Sequence, residues 1–165
     1  MAVDRQLGKQ PLRFGTSGLR DRIEVLTDEE VYINTRGFLR YLTETQQLQP
    51  KAAVGVAGDL RGSTGRIMRA AAKAVRDAGF QVEHLGRVPS PAVLCYGMQN
   101  GIAGIMVTGS HIPDDRNGVK FTKPTGEVLK TDEPAILEAV AVERENEYAI
   151  PLEDCLFTGD GAFKA

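Results

Sequence analysis

The chain has 165 residues, an ordinary length for one domain, with 20 Lys and Arg against 22 Asp and Glu and a formal charge of −2. A hydrophobic share of 42% and a charged share of 25% exclude a disordered or collagen-like chain, and charges of both signs are spread along it, so no nucleic-acid partner is expected. No apolar stretch approaches the roughly 18 residues of a membrane span, and the polar first residues lack the apolar core of a signal peptide, so a cytoplasmic protein with no membrane contact is expected.

In chain order, Phe14-Gly15-Thr16-Ser17-Gly18-Leu19-Arg20-Asp21-Arg22 is too glycine-rich and polar for a core strand. Its Arg20 either clamps a phosphate bidentately or stands exposed without a ligand. Thr27 followed three residues later by Glu30 is a capping box, and Val31, Thr35, Phe38, Leu39 and Leu42 recur at helical spacing, which predicts a helix over 28–46. The apolar run 52–57 reads as a buried strand ending at Gly58-Asp59. A helix capped by Ser63 follows, with Ile67, Met68, Ala71, Ala74, Val75 and Ala78 facing inward and Gly79 as its stop. Residues 80–85 read as a strand, 89–99 as a short helix with Pro89 or Pro91 in its first turn, and 102–107 as a third strand.

Residues 119–122 and 127–130 flank Lys123-Pro124-Thr125-Gly126 and predict a hairpin. Thr131 then caps a helix over 132–147 that tolerates Pro134 in its first turn. Strands alternating with helices give a three-layer α/β/α sandwich with a mixed, mainly parallel sheet and a late β-hairpin. Residues 1–150 form this domain. Periodicity ends beyond them, so 151–165 is expected to be a linker or the start of an absent second domain. Cys95 and Cys155 have no metal-ligand spacing and are expected as buried thiols.

Ligands of open α/β sheets sit beyond the carboxyl ends of the strands, which directs attention to the loops after Ala57 and Val107. In the second, Thr108-Gly109-Ser110-His111-Ile112-Pro113-Asp114-Asp115-Arg116-Asn117-Gly118-Val119-Lys120, Gly109 leaves room beside Ser110. Asn117-Gly118 turns the chain so that Lys120 comes back towards the serine, an arrangement suited to phosphoryl transfer; the alternative is a plain turn with a solvated lysine. Neither serine loop fits a nucleophile elbow. Adjacent residues of an extended chain point apart, so His111 is not simply the base for Ser110. His84, alone on a strand, reads as structural. Gly58-Asp59-Leu60-Arg61-Gly62-Ser63-Thr64-Gly65 offers backbone N–H groups to an anion but lacks the P-loop lysine, and its Asp59 and Ser63 also read as plain helix caps.

Four ordered segments together resemble the α-D-phosphohexomutases, the family of phosphoglucomutase, phosphomannomutase and phosphoglucosamine mutase, over residues 12–148. Residues 14–20 resemble F-G-T-S-G-x-R, 58–63 the D-x-R-x-S segment, 86–91 G-x-x-P-T/S-P, and 108–120 the loop T-A-S-H-N-P followed by N-G-x-K. Gly109 stands where Ala is usual, a change expected to cost little, and Ile112 where Asn is usual.

The resemblance implies that Ser110 is a phosphoserine. It would give its phosphoryl group to a hexose phosphate and recover it from a hexose bisphosphate, interconverting hexose 1- and 6-phosphates. It also implies Lys120 as general acid or base with His111 as second choice, Arg20 beside the phosphate, and Thr16, Ser17 and Arg20 as phosphate-binding. A Mg²⁺ would touch the Ser110 phosphate and draw its other ligands from an absent domain. The family's aspartate metal loop, sugar loop and distal phosphate loop have no counterpart in the sequence. The chain therefore resembles the first of four domains, expected to be inactive alone and to have the remaining domains of the parent chain as partners. A stand-alone phosphosugar or anion-binding module without turnover, and a small nucleotide-binding α/β protein, are the alternatives.

Overall fold

The computed structural model describes residues 12, 14, 15 and 18–165. Among them a seven-stranded sheet runs in the order β1-β2-β6-β5-β3-β4, with β7 beside β6. The strands are β1 (Phe14–Gly15), β2 (Gly18–Arg22), β3 (Ala53–Gly58), β4 (Gln81–Arg87), β5 (Ala103–Val107), β6 (Arg116–Lys123) and β7 (Gly126–Glu127). Helices α1 (Asp28–Glu44), α2 (Thr64–Asp77) and α4 (Glu133–Ala149) cover one face, while α3 (Ser90–Asn100) packs on the other. The three-layer α/β/α class follows from that placement. β3 pairs in parallel with β4 and β5, whereas β5–β6, β6–β2, β2–β1 and β6–β7 are antiparallel. The parallel part is thus the centre and one edge of a mixed sheet.

Period-two alternation sets which residue meets which layer. Val54, Val56, Ile105, Val107, Val119 and Phe121 face the three-helix layer and form the main core with Leu39, Leu42, Ile67 and Ile136. Ala57 and Met106 face the other way, towards Val93 of α3. Phe121 has Phe38 at 4.7 Å and Phe14 at 5.7 Å between ring centroids; each fully buried side chain of this size contributes about 1.5–3 kcal/mol. Gly37 lets α1 and α4 touch: a Cβ there would lie 2.3 Å from Val140 Cγ2.

The capping box is half made. Thr27 Oγ1 accepts from the Glu30 N–H at 3.2 Å, but the Glu30 carboxylate turns instead to the Arg144 guanidinium of α4 and the Leu12 N–H. Neither of the next two expected caps forms as read. Ser63 makes no capping bond and accepts from Asn117, while the residue preceding α4 is Asp132, not Thr131. The Asp132 carboxylate accepts from the Leu129 N–H, the Lys123 ammonium and the Tyr41 hydroxyl, so it ties the hairpin to two helices.

The N-terminal motif, too glycine-rich and polar to be expected as a core strand, supplies β1 and β2, because β6 offers it a backbone edge and Phe14 and Leu19 reach the core. Cys95 is exposed, contrary to its apolar neighbours in sequence, because α3 buries only Val93 and Gly97; Cys155 is buried as expected. Residues 151–165 hold no helix or extended strand, in keeping with the loss of periodicity, but they lie back on the domain. Phe157, fully buried, meets Tyr32 edge-on at 5.4 Å and stacks on Phe163 at 5.0 Å. The Gly161 carbonyl accepts from Glu29 N–H, and Phe163 N–H donates to Asp28.

Candidate functional site

The carboxyl ends of β3, β4 and β5 lie side by side, and the loops leaving them meet. Ser110 sits three residues beyond β5, exposed, with φ +55°, a left-handed conformation that costs a residue with a Cβ about 1–2 kcal/mol. Its N–H donates to Thr108 Oγ1 at 2.9 Å. Its hydroxyl lies 3.3 Å from His111 Nδ1. The expectation that these neighbours point apart assumes extended chain, and the left-handed turn at Ser110 removes that assumption.

Two residues that the sequence reading left without a site role hold this loop. Asp59, just past β3, accepts from the Thr64 hydroxyl at 2.6 Å and the Arg61 N–H at 3.1 Å through Oδ1, and from the Gly109 N–H at 3.1 Å through Oδ2. Partial burial alone would raise its pKa, but these donors together with the Thr108 hydroxyl outweigh it and hold the carboxyl below the usual carboxylate range. The Arg61 guanidinium, 12% exposed, lies across the loop. Nη1 donates to the Pro113 carbonyl at 2.8 Å and Asp114 Oδ1 at 3.0 Å, and Nη2 to the carbonyls of Ile112 at 2.6 Å and Ser110 at 3.3 Å. The substitution of Ile for the usual Asn at 112 leaves this untouched, since the backbone carbonyl is what Arg61 uses. Gly109 is another matter: a Cβ there would lie 2.4 Å from Arg61 Nε, so the alanine usual at this position requires the guanidinium to shift.

Asn117 and Gly118 do not turn the chain. They lie within β6, and residues 111–115 make the reversal. Asn117, fully buried, donates through Nδ2 to Ser63 Oγ at 2.9 Å and Thr64 Oγ1 at 3.1 Å, locking β6 to the start of α2. Gly118 has no room for a side chain, because a Cβ would come within 2.6 Å of the Leu19 carbonyl oxygen. The sequence shows these residues only as the two-residue spacing of Asp59 and Arg61 and as the Asn-Gly pair, neither of which says what it will clamp. Their use depends on which loops the sheet brings together.

Lys120 does return alongside β5, opposite Met106, with Gly18 of β2 on its other side. Its ammonium is taken by Glu127 Oε1 at 2.7 Å. Glu127 pairs with Thr122, which pairs with Gly104, so this contact draws Lys120 towards the amino end of β5 and away from Ser110. Arg20 is exposed on β2 opposite Gly118, whose carbonyl accepts from the Thr108 N–H; Arg20, Gly118 and Thr108 thus form a row leading to the serine loop. Thr16 and Ser17 lie outside the described residues. Among the described residues no three His, Cys, Asp or Glu side chains are grouped to hold a metal ion. A phosphorylated Ser110 would offer a metal hard oxygen atoms, but among the described residues there is no carboxylate set to complete the shell.

Beside Ser110 opens a cleft of about 620 Å³, bounded by Asp59 and Leu60, by residues 87–91 and by Met106 and Thr108. Arg87, at its edge, donates to the Asp59 carbonyl. Three of the four sequence motifs therefore converge on one cleft mouth, as sites on such sheets do.

Comparison with known proteins gives that convergence a family. The chain is 41% identical over 124 residues to a phosphomannomutase of Sinorhizobium fredii, a match covering 75% of this chain and 26% of that protein. It is 38% identical over 135 residues to a phosphomannomutase of Salmonella muenchen, covering 82% of this chain and 28% of that one. A crystal structure from Thermus thermophilus, described as a phosphomannomutase, superposes with a TM-score of 0.70 at 28% identity, over 80% of this chain and 30% of that one. The chain thus spans between a quarter and a third of the length of these relatives. The family model for phosphoglucomutase/phosphomannomutase, alpha/beta/alpha domain I, matches residues 11–147, which hold every strand and loop of the cleft, and the chain belongs to that family.

Proposed function

We propose that this chain is the phosphoserine-bearing domain of a phosphohexomutase that interconverts hexose 1- and 6-phosphates. The observation that carries the reading is Ser110: an exposed hydroxyl on a left-handed turn at the carboxyl end of β5, at the mouth of a cleft, in a loop pinned from below by Arg61 and Asp59. A phosphoryl carrier needs an accessible oxygen whose position does not wander.

In the first step a hydroxyl of the hexose phosphate attacks the phosphorus of phosphorylated Ser110. The Oγ–P bond breaks, the sugar hydroxyl loses its proton and Oγ regains one, leaving a hexose bisphosphate. After the bisphosphate turns around, the reverse step returns the phosphoryl group from its other end. Lys120 is the proposed general acid or base, which requires it to leave Glu127; His111, within 3.3 Å of Oγ, is the second choice. Thr16, Ser17 and Arg20 bind the phosphates. A Mg²⁺ held by the Ser110 phosphate would supply charge neutralisation, with its remaining ligands coming from outside this chain.

Residues 1–150 are the proposed unit of this function and 151–165 the passage towards further domains of the parent, a protein of the cytoplasm. The test is phosphorylation and turnover of the parent protein with glucose and mannose phosphates. Ser110→Ala should abolish the covalent phosphate seen by intact mass and lower turnover far more than Lys120→Ala, since losing an acid or base costs ~10²–10⁴-fold. A serine that is never phosphorylated, with both variants equally mild, would favour a binding module without turnover.

A further inference from the structure

Arg61 has no part in the chemistry described above, yet its side chain is the most heavily engaged at the site. A guanidinium has five N–H donors in a fixed plane, and here both terminal nitrogens hydrogen-bond the serine loop while Nε stands beside a carboxylate. Nε lies 3.3 Å from Asp59 Oδ2, Nη1 serves the Pro113 carbonyl and Asp114 Oδ1, and Nη2 serves the carbonyls of Ser110 and Ile112. A third oxygen, the Arg116 carbonyl, lies 3.4 Å from Nη1. Every loop acceptor comes from the single segment between β5 and β6. The group is closed in by Gly109, which has no Cβ to interfere, and by Asp59, which also holds the Gly109 N–H.

The consequence falls on Ser110. Its N–H is fixed by Thr108 and its carbonyl by Arg61, so both peptide planes flanking its Cα are tethered while φ stays at +55°. A strained conformation of this kind persists only where its surroundings over-determine it. The donors of Nη1 and Nη2 are committed to the loop and Nε faces the Asp59 carboxylate, whose charge repels an anion, so Arg61 is not placed to take a substrate phosphate. Arg20 on β2 and Arg87 at the cleft, by contrast, are both exposed to solvent.

Resting on the assignment of Ser110 as phosphoryl carrier, we infer that Arg61 is a positioning residue: it holds Ser110 in the left-handed conformation from which the hydroxyl receives and gives the phosphoryl group, and it binds no phosphate itself. Lysine cannot replace it, because one ammonium reaches neither the spread of carbonyls nor the plane.

Two measurements test this. In the parent protein, turnover with glucose 1-phosphate is compared for wild type, Arg61→Lys and Ser110→Ala, well below their melting temperatures. Arg61→Lys should lower kcat about 10²-fold, the scale of a small misplacement of a reacting atom, with KM nearly unchanged. A variant that melts lower but keeps the wild-type kcat, or one whose loss lies in KM, would overturn the inference.

In this 165-residue chain, amide hydrogen exchange is followed at Gly109, Ser110, Ile112 and Arg116, whose N–H groups are all bonded within the site. Arg61→Lys should speed exchange there and leave α1 and β3 protected. Unchanged exchange at those four amides would overturn the inference as well. A fully active Ser110→Ala would instead remove the phosphoryl-carrier reading, and the exchange measurement would still decide whether Arg61 orders the loop.

Discussion

Asp59 joins stability to pH at the scale of a single residue. Burial pushes its carboxyl up, but the hydroxyls of Thr64 and Thr108 and the N–H groups of Arg61 and Gly109 hold it below the range it has in an unfolded chain. A depressed folded-state pKa stabilises fully above the unfolded value near ~3.9 and is lost as pH falls through the folded value. Wild type should therefore melt well above Asp59→Asn at neutral pH, with the gap narrowing below pH ~4. Thermal melts across that range check it, and a gap independent of pH would show that the carboxylate charge is not what matters. At this scale the serine loop was legible in the sequence, since Ser110, His111 and Lys120 stand in one motif. The roles of Arg61 and Asn117 were not, because each acts on residues about 50 positions away, and no local pattern records such a meeting.

Among the elements, residues 151–165 behave as a strap across α1 and α2. Phe157 is fully buried against Tyr32 and Phe163, Cys155 lies in the same cluster, and the Gly161 carbonyl takes the Glu29 N–H at the open first turn of α1. The Asp28 carboxylate is shared between Phe163 N–H and the Arg66 guanidinium of α2, so the strap, α1 and α2 are joined at one point. Phe157→Ala should cost about 3–5 kcal/mol, as truncation of a buried aromatic does, read from denaturant unfolding. A cost near zero would mean that the segment is a loosely held tail. Local composition, with Pro151 and Gly159-Asp160-Gly161, gives the absence of regular structure but says nothing of where two phenylalanines lodge.

Taken whole, the described residues share one main hydrophobic core, with the serine loop and its cleft at the carboxyl ends of the parallel strands. Their turns and apolar faces agree with one another and Thr27 caps α1, which favours a chain that folds by itself. Phosphoryl transfer depends on positioning and on stabilised charge, and among the described residues there is no metal-binding cluster. The expected outcome is a purified 165-residue chain that melts cooperatively but does not interconvert hexose 1- and 6-phosphates in a coupled assay with Mg²⁺ and a hexose bisphosphate. Activity that disappears in Ser110→Ala would show that this chain holds more of the chemistry than its described residues account for.

What the sequence determined by itself was whatever depends on neighbours along the chain. That covers the four helices, the central strands, the hairpin turn though not its second arm, expected over 127–130 and found as Gly126–Glu127, and the cap at Thr27, each set by periodicity or by a residue's own conformational preference. Only the tertiary structure decided that the glycine-rich start is a pair of strands, that α3 leaves Cys95 exposed, that Lys120 turns to Glu127, and that Arg61 binds the serine loop. Those outcomes depend on which sheet edge is open and which loops share a cleft, and long-range pairing is fixed by the packing of the whole chain rather than by any one stretch of it.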